Sequence, residues 1–148
     1  MGFGGFKPPK ELPEELREAV AYLESKSADQ QSYLQAVYGL VMKKTFEQWR
    51  HSRFKAATRL HRLAIKDLKE IWLTRDFIYC GPINFVVFVL LVKSKYFTEK
   101  DIKVKHVFLN FVPHQYLQVK VGGKWVDVDP AGSGIRRRPL GTHASFFG

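Results

Sequence analysis

Three side-chain types that together can break an acyl bond, a cysteine, a histidine and an aspartate, occur at spacings that let the chain fold them onto one another. Cys80 is the sole cysteine of 148 residues and lies in Thr74-Arg75-Asp76-Phe77-Ile78-Tyr79-Cys80-Gly81-Pro82-Ile83-Asn84-Phe85. Pro82 suits a first helical turn, where its missing N–H bonds nothing and its fixed φ fits. The run from Phe85 to Val92 that follows is apolar throughout and reads as a buried helix. A cysteine opening such a helix faces unpaired backbone N–H groups and the positive end of the helix dipole. Both favour the thiolate, which is the nucleophile. A free cysteine is more often an inert small hydrophobe, so the reading rests on what else reaches it.

The histidine and aspartate come from a hairpin. His114 to Val121, Gly122-Gly123, then Lys124 to Asp129 has the pattern of two strands joined by a two-residue turn with positive φ. That turn pairs Val121 with Lys124 and, stepping outward, Tyr116 with Asp129 and His114 with Ala131. Leu117, Val119, Val121, Val126 and Val128 then share one apolar face. The opposite face carries His114, Tyr116, Gln118, Trp125, Asp127 and Asp129, with His114 and Asp129 as diagonal neighbours at roughly 7–8 Å between backbones. An imidazole beside a thiol takes its proton and returns it to a leaving group. A carboxylate behind the ring fixes its tautomer and stabilises imidazolium. Cys80 is therefore the candidate nucleophile, His114 the general base and acid, and Asp129 the orienting carboxylate. Tyr116 and Trp125, on the face of His114, and Asp76, just ahead of the cysteine, are the candidate substrate-binding residues.

The order Cys80, His114, Asp129-Pro130 resembles that of the transglutaminase-like superfamily, whose papain-like cores carry Cys, His and Asp in the same order. The likeness rests on Cys80-Gly81-Pro82 at a helix start and on His114-Gln115-Tyr116-Leu117-Gln118-Val119. Gly123-Lys124-Trp125-Val126-Asp127-Val128-Asp129-Pro130, the most specific of the three, completes it. It spans about residues 70–131. Tyr116 stands where many members have Trp, and Gln118 where an acidic residue is common. The resemblance implies amide or isopeptide chemistry, by hydrolysis or by transfer to an amine, on a peptide or amide substrate. It implies neither a metal nor an organic cofactor.

The elements that must position these residues are helices first and strands after, an α+β order. Residues 1–10, rich in Gly and Pro, read as a flexible lead-in, and residues 11–73 as a helical N-terminal part. Within it one helix runs from Pro13 to about Lys26, a second from Gln30 to Lys43, and a basic helical stretch from Lys44 to Trp72. Residues 74–131 form the core that holds Cys80, His114 and Asp129, and residues 132–148 a C-terminal extension. A further strand is expected from Ile102 to about Asn110, with Val112-Pro113 interrupting before His114 opens the next. The length suits one domain with one core.

Hydrophobic content of 45% and aromatic content of 14% are those of a globular chain and exclude wholesale disorder. One cysteine excludes a disulfide framework and a cysteine-cluster metal site, and points to a reducing cytoplasm. No secretory signal is read at the N-terminus. The longest uncharged stretch, the 16 residues Phe77–Val92, is short for a span of roughly 20 residues, so no membrane partner is expected. The net charge of +10 is spread over both halves: 14 basic against 10 acidic side chains in residues 1–76, and 10 against 4 in residues 77–148. A basic binding module for nucleic acid or protein is accordingly the alternative reading, with Arg50, Arg53, Lys55, Arg59, Arg62 and Lys66 as its helix face. A solvated basic surface explains the same residues more simply. His51 and His61 make no metal-ligand spacing, and neither His106 nor His143 has a partner carboxylate at readable spacing.

Overall fold

The computed structural model describes residues 5–52, 67–73, 80–109, 112–131 and 139–144, with the main chain alone at 48–52 and 112. Helices α1 (Glu14–Ser25), α2 (Gln30–Ser52), α3 (Leu68–Leu73) and α4 (Cys80–Val92) precede strands β1 (Ile102–Leu109), β2 (Val112–Val121) and β3 (Lys124–Val128). The strands form one antiparallel sheet in the order β1-β2-β3. The protein is α+β.

Helix α4 is the axis of the core. Ile83, Asn84 and Val86 through Leu91 are all buried, the pattern of a helix covered on every side. Its N-terminal half rests on β2 and its other flanks on α1, α2 and α3. Leu16, Val20 and Leu23 of α1 and Tyr33, Leu34, Val37 and Val41 of α2 close it from one side, and Leu117, Val119 and Val128 of the sheet from the other. Each such side chain removed from water contributes about 1.5–3 kcal/mol. The C-terminal end of α4 is tied down by polar bonds: Tyr33 donates its hydroxyl to the Leu90 carbonyl at 2.7 Å, and the Tyr96 hydroxyl donates to the Ser27 carbonyl at 2.9 Å. No helix among the described residues is long and apolar enough to cross a membrane.

Several boundaries differ from the sequence expectation. The second helix does not end at Lys43. It runs to Ser52, because no proline interrupts it and the buried Thr45 turns its hydroxyl back onto the Val41 carbonyl at 2.8 Å. Phe6, in the stretch read as a flexible lead-in, lays its ring against Phe85 and Phe88 of α4 at 5.3 and 5.6 Å. The basic residues from Arg53 to Lys66, with His61, lie outside the described residues, as do Asp76 and Arg136 to Arg138.

The hairpin has the expected register: Val121 pairs with Lys124, Val119 with Val126, and Leu117 with Val128. Gly122 and Gly123 take φ of 55° and 83°, which glycine adopts without the strain of a Cβ. Pro113 does not interrupt β2. It pairs with Phe108 of β1, while β3 has already ended opposite Leu117. A two-residue turn makes Val121–Lys124 a hydrogen-bonded pair, and alternation makes Leu117–Val128 another. The main-chain groups of Gln115 and Pro113 therefore point to the edge that β3 leaves empty, where a missing N–H costs no ladder bond.

Candidate active site

That empty edge of β2 is where the first turns of α4 dock. Cys80 is the first residue of the helix, and Pro82 falls among the first-turn positions whose N–H groups have no intrahelical partner. Two contacts replace the missing ladder. The Gln115 N–H reaches the Cys80 sulfur, and Asn84, one turn along α4, donates its Nδ2 to the Gln115 carbonyl at 2.6 Å. The cysteine helix and the histidine strand are thus stitched together at the residue next to His114. Asn84 is fully buried, and it is the one polar side chain between Ile83 and Val92.

His114 sits between the thiol and a carboxylate. Its Nε2 bonds Asp129 Oδ2 at 2.8 Å, which leaves Nδ1 as the ring nitrogen for its hydrogen bond with Cys80. Asp129 is completely buried and stands one residue past the end of β3, followed by Pro130 and Ala131 in a helical turn. A second donor, the Ala144 N–H, reaches the same Oδ2 at 2.8 Å.

The electrostatics follow from these contacts. Burial pushes the Cys80 thiol up, but the His114 hydrogen bond, the Gln115 N–H, the imidazolium charge and the Gly81 N–H together outweigh it and hold the thiol below its ordinary value. Burial pushes His114 down. The bond to Asp129, the bond to Cys80 and the two negative charges overcome this and raise it to about 9. The two shifts run in opposite directions, the thiol down and the imidazole up to about 9, so each group favours the charged form of the other, the arrangement that a thiolate–imidazolium pair requires.

No protein-family model, no curated protein and no solved structure matches this chain. The site therefore stands on its own geometry. Among the described residues no three His, Cys, Asp or Glu side chains gather as metal ligands.

The three sequence-predicted substrate residues fare differently. Tyr116 is buried at 6% exposure, its ring lying flat beneath the His143 imidazole with centroids 4.3 Å apart and planes within 1°. That face of the phenol is closed to a ligand. Trp125 does not approach His114. It pairs with Lys120, and at about 3.3 Å per residue the rise from His114 to Lys120 is roughly 20 Å. Trp125 is 37% exposed, and the Lys103 ammonium lies 4.0 Å from the centroid of its ring. Asp76 falls outside the described residues.

Sequence reading missed three contributors. Asn84 had a usable signal, a lone amide in an apolar run four residues after the cysteine. Gln115 acts through its main chain and had none. His143 does have a carboxylate partner: its Nδ1 donates to Asp127 Oδ2 at 2.7 Å, and Asp127 also accepts from Gln118 Nε2 at 2.8 Å. Residues 132–138 separate this pair along the chain, so no local spacing could announce it.

Proposed function

We propose that the protein is a cysteine-dependent acyl-transfer enzyme acting on an amide or isopeptide bond. The observation that carries this is the continuous line Cys80–His114–Asp129, in which a buried carboxylate bonds one ring nitrogen and the thiol the other. The Cys80 thiolate attacks the carbonyl carbon, and the first-turn N–H groups of α4 lie beside the sulfur to meet developing negative charge. His114 gives its proton to the leaving amine as the C–N bond breaks, which leaves a thioester on Cys80. Neutral His114 then takes a proton from water or from an acceptor amine as that nucleophile attacks. Thiol and acid, or thiol and new amide, are the products. The order of the three residues and the Gly-x-Trp-x-x-x-Asp-Pro segment support placing this chemistry with the transglutaminase-like superfamily, on a papain-like Cys-His-Asp core.

The test is the rate of Cys80 alkylation by iodoacetamide across pH, in the native chain and in His114→Ala. The expected result is a thiolate titrating well below about 8.5, with reaction at neutral pH reduced roughly 10-fold or more when the imidazole is removed. An ordinary thiol profile in both proteins would remove the basis of the proposal.

A further inference from the structure

Asp129 lies one residue beyond the last pair of β3. Its Oδ2 is held by two donors at 2.8 Å, His114 Nε2 and the Ala144 N–H. A carboxylate that also accepts a backbone N–H is both aimed and kept ionised. The residue before Ala144 is anchored as well. The His143 imidazole stacks on Tyr116 and donates to Asp127 Oδ2 at 2.7 Å. Two residues earlier the Gly141 N–H donates to the Asp127 carbonyl at 2.9 Å, with φ of +94° at Gly141 letting the chain bend there.

Asp127 and Asp129 alternate along one face of the hairpin, so their carboxylates emerge on the same side. Consecutive residues of the 139–144 segment grip them, His143 taking Asp127 and Ala144 taking Asp129. We propose that residues 139–144 form a strap that sets the orientation of Asp129, and hence of His114, with His143 as its positioning residue acting through Asp127 and Tyr116. This rests on the acyl-transfer reading of the triad. Its contacts with Asp127 and Tyr116 give His143 a positioning role. Tyr116, in this account, is a platform for the strap and does not line the substrate site.

The experiment compares Cys80 alkylation across pH, together with thermal melting, in wild type, His143→Ala, His143→Asn and Asp127→Ala. Losing the orienting bond should cost about three- to tenfold in rate at pH 7 and move the thiol titration upward in His143→Ala. His143→Asn, whose amide nitrogen sits close to the position of Nδ1, should recover most of that loss. Asp127→Ala removes the acceptor of His143 and should repeat the His143→Ala shift, so it carries the test if His143→Ala fails to fold. A lowered melting temperature with an unmoved thiol profile would make the strap merely structural and overturn the proposal. Failure of the triad itself looks different: wild type would then titrate as an ordinary thiol and ignore His114→Ala.

Discussion

Two imidazole–carboxylate pairs stand side by side on one face of the hairpin, and their bond lengths hardly differ: 2.8 Å for His114–Asp129 and 2.7 Å for His143–Asp127. Their surroundings differ greatly. The side chains of the first pair are 9% and 0% exposed, those of the second 28% and 20%. The first also has a thiol on the free side of its ring, whereas the second has the face of Tyr116 against it. Proximity alone does not make a pair catalytic. Exclusion of water strengthens each electrostatic contact, and a proton relay needs something to relay to. In the proposed reading the buried pair holds charge next to the Cys80 thiol, and the outer pair holds residues 139–144 in place.

The largest separation between the pairs should appear on deleting each carboxylate. Asp129→Ala removes the buried carboxylate that accepts from both His114 Nε2 and the Ala144 N–H and should destabilise the fold by about 3 kcal/mol or more. Asp127→Ala, at the wetter pair, should cost about 1 kcal/mol. Urea unfolding of the two variants measures both, and equal losses would erase the distinction.

The stitch between α4 and β2 comes next. Asn84→Leu keeps the bulk of the side chain but leaves the Gln115 carbonyl without the donor it now has at 2.6 Å. A loss of about 1–3 kcal/mol is expected, accompanied by slower alkylation of Cys80, because the helix and strand that carry the thiol and imidazole are no longer fastened at that point. Unchanged alkylation at reduced stability would confine Asn84 to the fold.

A smaller effect concerns pH. His114 is raised to about 9 in the folded chain, against an ordinary imidazole value near 6.5. The folded state therefore binds the proton more tightly than the unfolded state, and this contribution to stability is fully present below about 6.5. It is lost as pH rises through about 9. Urea midpoints should thus fall between pH 7 and pH 10, with a shallower fall in His114→Gln. Equal slopes for the two proteins would place the pH dependence elsewhere.

The sequence made much of the sheet legible, because a Gly-Gly turn fixes strand register and the alternation of Leu117, Val119, Val126 and Val128 checks it independently. The same register sets His114 near Asp129. The apolar run after Pro82 likewise announced α4. Other features depend on tertiary company that no local pattern encodes. Pro113 sits inside a strand because β3 is shorter than β2, and α2 passes Lys43 because Thr45 is buried against neighbours. Tyr116 reads as a site residue from its face of the strand, yet that face is covered by His143 from beyond residue 132. Trp125 reads the same way but lies at the solvated turn end. Register says which side chains share a face; only the packing says which of them are covered.

The central claim is that a proton sits on His114 at neutral pH because Cys80 and Asp129 flank it. Nuclear magnetic resonance titration of the His114 ring nitrogens, in wild type and in Cys80→Ala, measures this directly. The account predicts an imidazolium that persists to about pH 9 in wild type, and a lower titration midpoint once the sulfur is gone. A His114 that is already neutral at pH 7, with a midpoint indifferent to Cys80, would contradict it.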